Sequence, residues 1–335
     1  MKTVNNFIAP VSPLRYPGGK RKLAHVVHQL LELDGGEAEL LIEPFAGGAA
    51  VAISFLQNTS ARVLLADADP LVTGFWHTVF SDEAVYLAEL VERTVPTLKQ
   101  WQVLRSTDPQ SNLARAYKCL FLNRTSFSGI LNAEAGPIGG LAQKSQYGIG
   151  CRFNAPALAK TILQLSMYKE RVSVQGGQDW RTTVSQVRRA VRGAHARSKI
   201  AWYLDPPFFE KADRLYNRFF GEADHKKLRR EIDRLPGRFV LSYDDVPSAR
   251  LMYRDHPGFM RINLAYNARI DRQERLVAGE MLVSDMITRL RLSGDLAPMG
   301  QLFVMPERGS GSHLTIRKLR EDELQATQAA QGGER

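Results

Sequence analysis

The chain has little cysteine: Cys119 and Cys151 are the only two in 335 residues. They offer neither a disulfide framework nor metal-ligand spacing, so a stapled secreted scaffold and a structural zinc module are excluded, no metal is expected, and a reducing, cytoplasmic setting is the default. Neither cysteine has the setting of a nucleophile. Long apolar runs are missing as well. No stretch approaches the ~20 residues of a membrane span, and Met1 to Pro10 carry no apolar leader. Acidic residues are the minority charge, with 35 Asp and Glu against 45 Lys and Arg and a net charge of +10, which favours a polyanionic partner. Internal repeats are absent. The length and a 44% hydrophobic content suffice for one large domain or two ordinary ones with a substantial core.

Asp205-Pro206-Pro207-Phe208 follows the apolar strand Ile200 to Leu204, so its carboxylate stands at the carboxyl end of a buried strand, where open α/β sheets bind ligands. The prolines fix φ and remove N–H donors, leaving carbonyls that can only accept. An exocyclic amine placed here would give its two hydrogens to Asp205 and the Pro206 carbonyl. Its lone pair would then leave conjugation and attack an electrophile, while Phe208 stacked on the base. Taken alone, the same four residues are also an ordinary turn.

Upstream, Leu14-Arg15-Tyr16-Pro17-Gly18-Gly19-Lys20 precedes a helix over 21–33 and offers a ring, a close backbone approach and a cation at the helix start. A second strand, from Leu40, runs through Glu43-Pro44-Phe45-Ala46-Gly47-Gly48 into a helix of small residues. The next strand, Arg62 to Ala66, ends at Asp67, 20 residues after Gly47, the spacing at which an acid in a Rossmann-like unit grips ribose hydroxyls. These features imply an adenosine-containing cofactor, NAD included. Asp69 is the competing acid and reads as a solvated helix cap.

From 70 to 156 the βα alternation lapses into helical patterns at 71–80, 83–93 and 113–122. A polar, glycine-rich stretch, Asn123 to Asn154, follows, with Arg124, Phe127 and Ser128 close together. Cations contact phosphates, hydroxyls and amides read base edges, and an aromatic can wedge into a stack. Strand and helix patterns resume with strands at 171–175, 238–242, 259–264 and 280–284 and helices at 183–197 and 223–235. The loop 209–221 is placed to be a lid, and 267–275 reads as a basic hairpin tip. No chemistry attaches to 294–317.

With these motifs in this order, the chain resembles the Dam-type DNA adenine-N6 methyltransferases, the D12 class, over about residues 12 to 285. The resemblance implies an α/β, Rossmann-like methyltransferase sheet with helices on both faces. Residues 1–70 and 165–318 would form the catalytic domain, 71–164 an inserted, mainly helical target-recognition subdomain, and 319–335 a disordered tail. It implies S-adenosylmethionine as cofactor, held by Tyr16, Lys20, Phe45, Gly47, Asp67 and Asp179, with Asp205 between cofactor and target amine. Duplex DNA would be the partner, touched by Arg15, Arg124, Phe127, Ser128 and Asn132, with the target adenine flipped out and Phe127 in the gap. A cognate restriction endonuclease stays open as a second partner. So do three other readings: a cytosine-N4 methyltransferase, a catalytically dead DNA-binding relative, and a methyltransferase acting on a protein amide.

Three positions depart from the family pattern. Ala49 stands where a further glycine is usual, and Phe208 replaces the more frequent tyrosine. Asn132 occupies the place of an arginine that reads guanine in GATC-specific members. Because asparagine suits adenine better than guanine, a site other than GATC is expected.

Overall fold

A computed structural model describes residues 7–15, 20–21, 23–33, 37–132, 134–209, 220–265 and 277–293. Tyr16, the lid segment 210–219, the hairpin tip 267–275, the stretch 294–317 and the tail lie outside the described residues.

Among the described residues seven strands form one sheet: β1 Leu40–Glu43, β2 Arg62–Asp67, β3 Val172–Gly176, β4 Ile200–Leu204, β5 Arg238–Asp244, β6 Phe259–Ala265 and β7 Val277–Ser284. Their order is β3-β2-β1-β4-β5-β7-β6, parallel from β3 to β5, with β7 antiparallel to both its neighbours. β4 is buried at all five positions and β1 at three of four, as continuous apolar runs in a sheet covered on both faces require. Alternate residues then go to opposite cores. Leu41, Ala201, Tyr203, Val240 and Leu282 join one; Ile42, Trp202, Leu204, Leu241 and Val283 join the other.

The first face carries α1 Ala24–Leu31 and α2 Ala50–Asn58, together with the helices between β2 and β3: α3 Pro70–Val79, α4 Ala84–Glu92, α5 Leu98–Ser106, α6 Asn112–Thr125 and α7 Ala155–Ser166. Phe75, Trp76, Leu120 and Phe121 of this segment share one apolar cluster with Val63 and Leu65 of β2, so it packs onto the sheet. The second face carries α8 Trp180–Ala190, α10 Glu222–Glu231 and α11 Pro247–Tyr253; α9 Ala194–Ser198 is short and exposed, and α12 Asp285–Ser293 follows β7. Among the described residues no helix is long and apolar enough to cross a membrane, and no side-chain group is arranged to hold a metal ion.

Several helices differ from the periodicity reading. The one expected over 183–197 starts at Trp180 and ends at Ala190, where Val191 turns extended; Gly193, at φ 85°, then precedes the separate short helix Ala194–Ser198. In the stretch expected as loop, α6 runs on to Thr125, and Ser126 pairs with Pro137 in an isolated bridge. α5 and α7 start at side-chain caps, Thr97 and Asn154, in segments whose polar exposed faces mask their period. Asp69 is a helix cap, its Oδ1 accepting from the Leu71 N–H at 2.8 Å, but it is buried rather than solvated because α3 packs on the sheet.

Candidate active site

β1 continues through a turn and α2 to β2 on one side, whereas β4 lies on its other side, so the connections leave β1 and β4 in opposite directions. A crevice opens at the carboxyl ends of two such strands. Here it is a cleft of about 570 Å³, and Glu43, Phe45, Gly47, Asp67, Asp179 and Asp205 all line it.

At one end stands Asp205, whose side chain keeps 28% exposure. Its Oδ1 accepts from the Ser242 hydroxyl at 3.0 Å and lies 3.2 Å from the Lys20 ammonium. Ser242 has one hydrogen, and Asp205 takes it. The Tyr203 hydroxyl, 2.8 Å from Ser242 Oγ, must therefore donate to that oxygen. Both contacts fall on Oδ1, and among the described residues Oδ2 receives no hydrogen bond. Lys20 is only 5% exposed; it also lies 3.3 Å from each oxygen of Glu280 on β7 and 5.8 Å from the centre of the Phe208 ring. Glu43 adds a third carboxyl and accepts from the Ala52 N–H at 3.2 Å.

Burial pushes the Asp205 carboxyl up, against the opposing pull of Lys20 and Ser242. Burial raises Glu280 to about 7, with Lys20 opposing and Asp205 adding to the rise. Glu43 is held well above the usual carboxylate range by burial and then by the nearby Asp205. Lys20 thus bridges two carboxyls whose proton affinity burial raises.

The other end is the glycine turn. Gly47 at φ 43° and Ala49 at φ 48° both adopt left-handed backbone, which explains the glycine at the first and marks a local strain at the second. The turn is pinned by Asp67, whose Oδ2 accepts from the Gly47 N–H and Oδ1 from the Asp69 N–H, each at 2.9 Å. Trp76 Nε1 donates to the Gly47 carbonyl at 2.9 Å. Burial lifts the Asp67 carboxyl to about 7 despite these donors. Asp179 caps α8 and binds Arg181 through Nε at 2.7 Å and Nη2 at 2.9 Å. Burial alone would raise Asp179; the hydrogen bonds and charge of Arg181 outweigh it and bring it down. Phe45 faces Trp180 and Phe220, with ring centres 6.4 and 5.7 Å away, forming an apolar wall.

The polar loop after α6 is anchored to the segment before Lys20. Asn123 accepts from the Arg15 N–H at 2.6 Å and donates to the carbonyls of Arg15 and Gly129 at 2.7 and 2.8 Å. A side chain at Gly129 would meet the Arg15 carbonyl at 2.5 Å, so only glycine permits this approach. Phe127 is 67% exposed beside Ser128, which is itself exposed at φ 55°. Asn132 turns its own backbone, Oδ1 accepting from the Glu134 N–H at 2.9 Å, and its carbonyl accepts from Arg105 at 3.1 Å. Arg124 departs from expectation. Its guanidinium donates to the carbonyls of Pro13 and Ser12 at 2.6 and 3.4 Å, so it braces the chain before Arg15 rather than reaching outward, and burial lowers it to about 10.

The family model for D12 class N6 adenine-specific DNA methyltransferases matches residues 16–268. The chain belongs to this family. It is also similar to proteins named DNA adenine methylase from two strains of Vibrio cholerae serotype O1, O395 and El Tor Inaba N16961, at 30% identity over 122 residues. Each alignment covers 35% of this chain and 42% of the relative, less than half the length of the proteins it matches. A methyltransferase of this family has a methyl donor as cosubstrate, and DNA is the substrate class of the family.

Lys20, Phe45, Gly47, Asp67, Asp179 and Asp205, dispersed over the sequence, line one cleft. Lys20, expected at the cofactor, has its ammonium on the Asp205 and Glu280 carboxylates. Glu280, Ser242 and Tyr203 were not anticipated. Glu280 and Ser242 were legible only as polar residues in otherwise apolar strands, a signal that names no partner.

Proposed function

We propose that the protein transfers a methyl group from S-adenosylmethionine to the N6 amine of an adenine flipped out of duplex DNA. The observation that carries this reading is the environment of Asp205. With Oδ1 held by Ser242 and Lys20, Oδ2 is left to accept one hydrogen of an incoming amine, and the Pro206 carbonyl is positioned in sequence to accept the other. Two fixed acceptors draw the nitrogen lone pair out of the ring, and the carboxylate balances the positive charge that develops on nitrogen. Phe208, beside Lys20, supplies the stacking face.

The cleft residues fit the proposed cofactor. Phe45, Trp180 and Phe220 form a wall suited to an adenine ring, Asp179 is an acceptor for its amine, and Asp67 for ribose hydroxyls. The left-handed turn from Gly47 to Ala49 presents backbone to the remainder. S-adenosylmethionine, when bound, supplies an electrophilic methyl group. Tyr16, outside the described residues, is proposed as a further cofactor contact.

Residues 71–164 are proposed as the target-recognition part, with Phe127 as wedge, Arg15 and Ser128 at the backbone and Asn132 at a base edge. A second reading of Arg124 follows from its geometry: it supports DNA binding by fixing Arg15. The enzyme is proposed to work in the cytoplasm, where its exposed Cys151 would stay reduced.

The test is incubation with labelled S-adenosylmethionine and mixed-sequence duplex DNA, followed by nucleoside mass spectrometry. N6-methyladenine supports the reading. N4-methylcytosine would move the target to the other exocyclic amine, and no methylated base would overturn it.

A further inference from the structure

We propose that Glu280 is a positioning residue for methyl transfer, holding Lys20 so that Asp205 and Phe208 keep the placement the target amine requires. The inference rests on the reading of Asp205 as the amine's acceptor. A lysine has a four-carbon stem with many rotamers, and its ammonium settles only where partners hold it. Here Glu280 meets it with both oxygens at 3.3 Å, opposite Asp205 at 3.2 Å, and the ammonium stays 5.8 Å from the Phe208 ring centre. Glu280 is 4% exposed, so it is no solvated counter-ion.

Its platform is rigid. Glu280 sits in the interior of β7, paired in register with Asp244 of β5 and Ile262 of β6. On this strand it is two residues from Leu282, and that spacing turns both side chains to the sheet face that carries Tyr203. A group built on a paired strand holds geometry more closely than one on a loop.

The charge balance gives Glu280 a second effect. Lys20 touches Asp205, which follows β4, and Glu280 of β7; Glu43 of β1 acts on Asp205, Asp244 of β5 stands beside Glu280, and the neutral Tyr203 lies behind Ser242. The Lys20 ammonium is shared between two carboxylates. Sharing it weakens its hold on Asp205 and leaves that carboxylate a better acceptor. With Glu280 neutral, Lys20 would lose one carboxylate partner and hold Asp205 more strongly, lowering both that carboxyl's affinity for protons and its strength as an acceptor.

The experiment compares wild type, Glu280→Gln, Glu280→Asp and Asp205→Ala as full-length proteins in steady-state methylation across pH 5 to 9. For Glu280→Gln, kcat should fall about tenfold or more, the scale of one lost charge-assisted contact. KM for DNA and for cofactor should stay within about twofold, and the acid limb of the kcat profile should move to lower pH. Glu280→Asp keeps the charge at a shorter reach, so its limb should stay near the wild-type position while kcat is reduced. It also serves as the measurement if the Gln variant does not fold. A limb unmoved in Glu280→Gln, or one displaced in Glu280→Asp as far as in Gln, would overturn the proposal. Methylation retained by Asp205→Ala would instead sink the acceptor reading on which it rests.

Discussion

Ser242 donates its hydroxyl hydrogen to Oδ1 of Asp205 at 3.0 Å, and among the described residues Oδ2 receives no hydrogen bond. A hydrogen bond to a charged group contributes roughly 1.5–3 kcal/mol. If it acts mainly in the transition state, Ser242→Ala should lower kcat by about 10- to 100-fold. Asp205→Ala should abolish turnover with an unchanged circular dichroism spectrum. Methylation at the wild-type rate by the Ser242 variant would show that Asp205 does not need this support.

Asp67 makes stability depend on pH with a definite sign. Its folded-state value, about 7, lies above the ordinary 3.8. Between roughly pH 4 and 7 the folded chain holds a proton that the unfolded chain has released, so its contribution is fully present below that window and is lost as pH rises through it. Glu280, also raised to about 7, acts in the same direction. Thermal melts of wild type and Asp67→Asn from pH 4 to 8 should therefore diverge, wild type losing ground to the variant as pH rises. A constant difference across the series would contradict the assignment.

Ala49 is a buried alanine in the left-handed region. Replacing it with glycine relieves about 1–2 kcal/mol of backbone strain. The same change removes a buried methyl, about 0.8 kcal/mol, and adds about 0.4–1 kcal/mol of unfolded-state entropy. The terms nearly cancel, so Ala49→Gly should change stability by less than about 1 kcal/mol by denaturant titration. Ala49→Val, branched at Cβ and forced to the same φ, should destabilise by more than about 2 kcal/mol.

Phe127 is largely exposed, so Phe127→Ala should leave the melting temperature almost unchanged. If the ring fills the gap behind a flipped base, kcat should fall at least about tenfold, and 2-aminopurine at the target position should brighten less on binding. Unaltered fluorescence and rate would remove the wedge assignment.

Asn132 stands at a proposed base contact, and its side chain orders the turn to Glu134. Sequencing of methylated fragments should return a motif other than GATC, and Asn132→Ala should broaden that motif more than it weakens cofactor binding. A GATC-only result, or a change confined to cofactor affinity, would show the recognition loop to be misplaced.

What could be read from the linear chain was whatever is encoded locally. β1, the glycine turn and β2 follow from an apolar run, residues without bulk and an acid within a few dozen positions, because a βαβ unit is built from neighbours in sequence. Asp205 was legible for the same reason, as an acid directly after a buried strand. The broken helix before Gly193 and the left-handed Ala49 were not, since a backbone angle is decided by the packing around it.

The sequence by itself determined the order of the motifs: a glycine turn between two strands, an interposed helical segment and the Asp-Pro-Pro-Phe turn. Only the tertiary structure decided what supports Asp205. Lys20 and Glu280 are 260 residues apart in the chain, and they meet because β7 inserts antiparallel beside β5 in a register that sets Glu280 opposite Asp244. Local sequence chooses strands and turns, but buried charges find their partners through strand order and register, which are settled by burying both faces of the whole sheet at once.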